Sequence, residues 1–84
     1  MYYVYLLQNL NNRDDFYLGY SSNLKQRVKS HNSGQNPSTK GRKWKVVYFE
    51  AYTTEIAARE REYRLKHDGR VKRFLMDRIK PHLF

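Results

Sequence analysis

A small α+β domain, with a three-stranded antiparallel sheet flanked by helices in the order β-β-α-β-α-α, is what this sequence predicts. Three observations predict it. Residues 2–7 and 16–20 are short aromatic and β-branched runs with a polar stretch between them. Apolar side chains recur three or four apart in residues 24–31 and 71–79. The 84 residues suffice for one domain, residues 1–84, with one modest core.

The first run, Tyr-Tyr-Val-Tyr-Leu-Leu, and the second, Phe-Tyr-Leu-Gly-Tyr, read as a hairpin across the polar residues Asn9 to Asp15. A period of two puts Tyr3, Tyr5 and Leu7 on one face and Tyr2, Val4 and Leu6 on the other, so both faces are expected to be covered. Ser21, Ser22 and Asn23 are candidate N-caps for a helix to about Asn32, with Leu24, Val28 and His31 along it and Gly34 as its stop. Residues 35–43 lack apolar periodicity and read as a polar, basic loop before a third strand from Trp44 to Glu50. Thr53 or Thr54 then caps a second helix to about Lys66, with Ile56, Tyr63 and Leu65 as its apolar members. Asp68-Gly69 breaks the chain before a last helix bearing Val71, Phe74, Leu75, Ile79 and Leu83, ended by Pro81.

The formal charge is +9, and it is unevenly placed. Residues 22–49 carry seven bases and no acid. A concentrated positive region attracts polyanions, so nucleic acid is the leading expected partner, with a solvated basic surface as the plain alternative. The absence of Cys excludes disulfides, thiolate metal sites and Cys nucleophiles. Four scattered Gly make no phosphate loop, and three isolated His have no zinc spacing. No apolar run approaches the roughly 18 residues of a membrane span, and Met1 leads directly into Tyr2 and Tyr3, so a cytoplasmic protein with no membrane partner is expected.

What remains suits phosphate chemistry: strand tyrosines, Arg27 and His31 on a helix, and the acids Glu60 and Glu62. Phosphodiester hydrolysis needs an activated water, charge stabilisation at the phosphoryl oxygens and relief of charge on the leaving oxygen. The spacing sharpens this. Tyr3-Val4-Tyr5 precedes Tyr17-Leu18-Gly19, Arg27 stands ten residues after Tyr17, and Ala58-x-x-Arg61-Glu62-x-x-Leu65-Lys66 follows. In these segments the chain resembles the GIY-YIG nuclease superfamily, specifically its small single-domain members, similar to the catalytic domains of structure-specific endonucleases and of the excision-repair incision subunit.

The resemblance implies a metal-dependent endonuclease hydrolysing DNA phosphodiester bonds, with a place in repair or recombination. It implies that Tyr17 is the general base or a water-positioning phenol, that Tyr5 orients water or phosphate, and that Arg27 contacts the scissile phosphate. Glu62 would bind Mg²⁺ or Mn²⁺, with Glu60 as the alternative frame, and His31 would give polar support. A phenol serves as a base near neutral pH only where cations stabilise its anion, and metal-bound hydroxide is the alternative base. The sequence departs from the family pattern twice: Tyr3 stands where many members have Gly, and no Asn follows Asn36 although many members have a late one. Only Asp77, Lys80 or His82 offers a polar group there. A catalytically weak or inactive nucleic-acid-binding module and a subunit docking on a repair complex are therefore carried as alternatives. Substrate contact is expected from Lys40, Arg42, Lys43 and Lys45, through recognition of nucleic-acid shape. Several of these residues also have plain readings: Trp44 as core, Gly19 as a close-packing position, His31 as a complement to the helix dipole, and Glu62 as an i,i+4 partner of Lys66.

Overall fold

A computed structural model describes residues 1–83. Strands β1 (Tyr2–Asn9), β2 (Asn12–Ser21) and β3 (Trp44–Tyr52) form one antiparallel sheet in the order β2-β1-β3. Helix α1 (Leu24–Asn32) lies between β2 and β3 in the chain, and α2 (Glu55–His67) and α3 (Gly69–Ile79) follow, with a 3-10 turn at Lys80–His82. The predicted fold class and element order hold.

The central position of β1 explains its burial: Val4, Tyr5, Leu6 and Leu7 are each at most 2% exposed because strands flank both edges and helices cover both faces. Val4 and Leu6 pack with Ala58, Leu65, Leu75 and Ile79 on the α2/α3 side. Tyr5 and Leu7 pack with Trp44 on the other face, where Tyr17, Leu24 and Val28 close around them. The alternation read from the sequence is this division.

The hairpin is tighter than expected. Only Leu10 and Asn11 lie outside the strands, because the polar stretch forms a bulged ladder held by its own amides. Asn9 Oδ1 accepts from Asn11 N at 2.8 Å, Gln8 Nε2 donates to the Arg13 carbonyl at 3.1 Å, and Asn9 Nδ2 donates to Asp15 at 3.0 Å. β3 likewise runs two residues past Glu50. Helix starts follow the capping chemistry: the side chains of Asn23 and Thr54 accept from Gln26 N and Ala57 N, and Asp68 accepts from Arg70 N and Val71 N while closing α2. Gly34, at φ 80°, turns the chain after α1 in a conformation that a side chain would strain.

Not all the apolar members of the last two helices face the core. Ile56 and Tyr63 are 79% and 65% exposed, and Ala58 joins Leu65 as the buried pair of α2. Phe74 is 75% exposed, while Leu75 and Ile79 supply the buried contact of α3. The sheet is close enough to α2 that a methyl side chain fills the contact, so residue size was a poor guide there.

Candidate active site

The face of the sheet under α1 carries a chain of polar contacts in an otherwise apolar cluster. Tyr5 is 1% exposed and its hydroxyl lies 2.8 Å from His31 Nε2; His31 is fully buried and its Nδ1 lies 2.7 Å from Thr39 Oγ1. Thr39 Oγ1 in turn donates to the Asn36 carbonyl at 3.4 Å. A hydroxyl has one proton, so Thr39 accepts from His31 Nδ1–H, and Nε2 is left to accept the Tyr5 proton. Charge states agree with this direction. Burial, with the Arg27 guanidinium second, pushes the His31 imidazole below its ordinary range and keeps it neutral. Burial above all, then Tyr17, raises the Tyr5 phenol well beyond the ordinary tyrosine range; Glu62 adds to the rise and Arg27 opposes it. Tyr5 is therefore a neutral phenol whose proton is committed to His31 and whose lone pairs remain available.

Gly19 makes this arrangement possible. It is the cross-strand partner of Tyr5, and a Cβ there would overlap the Tyr5 hydroxyl and stand 2.5 Å from its ring carbon Cζ. The phenol occupies the space that a side chain would need.

Tyr17, on β2, has its ring centroid 4.8 Å from that of His31 and 6.4 Å from that of Trp44. Its ring is thus fixed between two others, yet among the described residues its hydroxyl has no hydrogen-bond partner. Arg27 is exposed on α1 and Glu62 is half-buried on α2; the charges of both act on Tyr5. Glu62 also pairs with Lys66 at 3.1 Å, as its spacing suggested. The structure therefore gathers Tyr5, Tyr17 and His31 through ring and hydrogen-bond contacts, and brings Arg27 and Glu62 within electrostatic reach of the same phenol. Among the described residues, no group of three or more His, Cys, Asp or Glu converges as a ready-made metal cage.

The four expected contact residues divide. Lys40 and Lys45 are exposed. Arg42 is engaged within the fold: it pairs with Asp15 at 3.0 Å, donates to the Ser38 carbonyl and lies 5.0 Å over the Trp44 ring. Lys43 Nζ donates to the Asn32 carbonyl at 2.8 Å, at the C-terminal end of α1 where a cation complements the helix dipole. Trp44 is core, 3% exposed, with its indole N–H donating to the Thr39 carbonyl at 3.2 Å.

Sequence reasoning missed three contributors. Thr39, fully buried, carries the relay from His31 on to the Asn36 carbonyl. Asn32 grips both backbone groups of Trp44, accepting from its N–H at 2.7 Å and donating to its carbonyl at 3.0 Å, which ties α1 to β3. Glu50 receives Arg61 through two hydrogen bonds of 2.9 Å and the hydroxyls of Tyr48 and Tyr52, fixing α2 one residue before Glu62. The alternation Tyr48-x-Glu50-x-Tyr52 was a legible sign that these three share a strand face.

Comparison with known proteins places this geometry in context. The GIY-YIG catalytic domain family matches residues 1–74. A UPF0213 protein of Clostridium perfringens is 40% identical over 68 residues, covering 79% of this chain and 71% of the relative. Another, of Haloquadratum walsbyi, is 34% identical over 74 residues, covering 86% and 81%. The solution NMR structure of a UPF0213 protein of Bacillus halodurans is 31% identical, with a TM-score of 0.56 over 95% of this chain and 86% of its own.

Proposed function

This chain belongs to the GIY-YIG catalytic domain family, and from that premise we propose that it is a metal-dependent endonuclease hydrolysing DNA phosphodiester bonds. The observation that carries the reading is Tyr17: a phenol with its ring held against His31 and Trp44 and its hydroxyl without a partner among the described residues, beside a Tyr5 that senses Arg27 and Glu62.

In this reading Arg27 binds the scissile phosphate, its delocalised cation matching two phosphoryl oxygens. Tyr17 holds the attacking water and, acting as its phenolate, takes up the water's proton as the water oxygen bonds to phosphorus. The bond to the leaving oxygen breaks, and that oxygen departs as the alcohol by taking a proton from solvent water, while the proton held by Tyr17 returns to solvent. Tyr5, its own proton held by His31, offers lone pairs that orient the water. Glu62 would hold the cation, Mg²⁺ or Mn²⁺. One carboxylate is a fitting donor for a hard ion that keeps most of its water shell, and such an ion would take the place of the Lys66 ammonium now paired with Glu62 at 3.1 Å. When bound, that ion supplies charge against the developing oxyanions.

The test is cleavage of labelled single-stranded, duplex, flapped and branched DNAs by purified protein with Mg²⁺ or Mn²⁺ and with chelator, alongside Tyr17→Phe, Arg27→Ala and Glu62→Ala. Metal-dependent cutting lost in all three variants is the expected result. Binding of the panel without cutting, or equal cutting by the variants, refutes it. Binding without cutting would favour a nucleic-acid-binding module without turnover, the reading supported by the absence of Asn beyond Asn36; Asp77, Lys80 and His82 are all exposed at the end of the fold.

A further inference from the structure

Beside the site, on the same face of the sheet, α1 and β3 diverge to leave an open groove of about 680 Å³. Its floor is Tyr3, Val46 and Phe49, and its helical wall is Leu24 and Val28. Phe49 is 53% exposed although it lies opposite the fully buried Tyr5 in the β1–β3 ladder, and Tyr3 meets it edge-on with centroids 6.0 Å apart. Such an aromatic pair in the open is costly to leave in water. The rim is cationic: Lys25 and Lys29, one helical turn apart and both exposed, border the groove, and no acid lines it.

A flat apolar floor under two cations spaced along one wall matches one chemistry, a polyanion that also presents flat apolar faces. We infer that this groove binds an unpaired nucleotide of a nucleic-acid strand, its base against Phe49 and Tyr3 and its flanking phosphates against Lys25 and Lys29. A paired base has both faces stacked within the duplex, so only an unpaired one can lie on Phe49. The inference rests on the nuclease reading for the strand's purpose. It gives that reading a substrate class, DNA with a single-stranded portion at the cut. Arg27 stands in the chain between Lys25 and Lys29, the two cations at the groove's rim, and borders a separate depression with Ser30 and Gln35. A second copy of this chain is disfavoured as occupant because the same lysines would meet.

The experiment is photo-crosslinking of the full chain to a single-stranded oligonucleotide carrying 5-iodouracil, with peptide mapping. Anisotropy titrations of single-stranded and duplex DNA accompany it for wild type, Phe49→Ala, Phe49→Leu and Lys29→Ala. Crosslinks at Tyr3 or Phe49 are expected. Phe49→Ala should weaken single-strand binding by about tenfold, while its duplex affinity changes by less than about twofold. Phe49→Leu keeps apolar bulk without the flat face and should weaken binding in the same direction, which separates stacking from folding. Lys29→Ala should lower the salt slope for single strands by about 0.7. Crosslinks confined to other residues, or equal losses on both DNAs, overturn the inference. So does Phe49-dependent binding to phosphatidylserine vesicles, or Phe49-dependent dimerisation in sedimentation, when oligonucleotide affinity is unchanged. Cleavage is read separately: the expected crosslink without cleavage leaves the slot standing and removes the nuclease reading, and cleavage without the crosslink does the reverse.

Discussion

Gly19→Ala gives opposite signs under two physical accounts. Backbone entropy alone makes alanine better than glycine within a strand by about 0.5–1 kcal/mol. The structure demands the reverse. A Cβ at Gly19 would stand 2.5 Å from Tyr5 Cζ and closer still to the hydroxyl, and Tyr5 cannot swing away because it is 1% exposed and bonded to His31. Overpacking a closed core costs about 1–3 kcal/mol. If the phenol is displaced, the buried His31 Nε2 is left without a donor for about 1–3 kcal/mol more. The two costs together, about 2–6 kcal/mol, less an entropic gain of about 0.5–1 kcal/mol, leave a net loss of at least about 1 kcal/mol. Urea unfolding followed by circular dichroism measures it. Gly69→Ala is the control, because nothing lies within 4 Å of a Cβ there and its backbone needs no left-handed turn; it should be neutral or stabilising by up to about 1 kcal/mol. An unchanged or raised midpoint for Gly19→Ala would refute the claim that Tyr5 is locked against this glycine.

Further outcomes follow from the same contacts. Burial works to raise the Glu50 carboxyl, but hydrogen bonds from Arg61, Tyr48 and Tyr52 outweigh it and hold it below its ordinary value of 4.5, so its contribution to stability is present above that pH and is lost as acid protonates it. Urea midpoints on the acid side should therefore fall less steeply in Glu50→Gln than in wild type. Burial, then Glu50, pushes Tyr48 and Tyr52 up to about 12, so stability should also decline between pH 10 and 12, as the unfolded phenols ionise first. His31 should stay neutral on acidification below pH 6.5, and Arg27→Ala should move its midpoint upward by removing the repelling guanidinium; imidazole ¹⁵N shifts report both, and an unmoved midpoint would detach Arg27 from the site. Thr39→Val removes the acceptor of His31 Nδ1–H at constant shape and should cost about 1–3 kcal/mol by the same unfolding assay.

Local chemistry made much of this legible. Asn23 and Thr54 cap helices through side chains acting within three residues, Asp68-Gly69 marked the break between α2 and α3, and the alternation Tyr2 to Leu7 declared a strand buried on both faces. The five catalytic candidates came from the resemblance to the GIY-YIG family, and three of them, Tyr5, Tyr17 and His31, meet directly. What stayed hidden depends on distant partners. Arg42 and Lys43 read as solvent-directed charge because Asp15 and the Asn32 carbonyl, 27 and 11 residues away, reach them only in the folded chain. Thr39 sits in a segment without periodicity and is buried solely by the path of the loop. In α2 the signal was misleading: Ala58 carries almost no hydrophobic weight, while Ile56 and Tyr63, which carry more, face solvent.

The two tyrosines separate catalysis from folding, since their hydroxyls are employed differently in one cluster. Tyr5 donates a hydrogen bond to a buried imidazole, so Tyr5→Phe orphans His31 Nε2 and should cost about 1–3 kcal/mol. Tyr17 contributes a ring to the packing around His31 and Trp44, and phenylalanine supplies the same ring. With no partner for its hydroxyl among the described residues, Tyr17→Phe should change stability by less than about 0.5 kcal/mol. Cleavage lost in that variant then cannot be blamed on unfolding, which makes it the sharpest single test of the base role. A loss of more than about 1 kcal/mol in Tyr17→Phe would mean that the hydroxyl is bound within the fold, and a phenol so engaged is not free to take a proton from water.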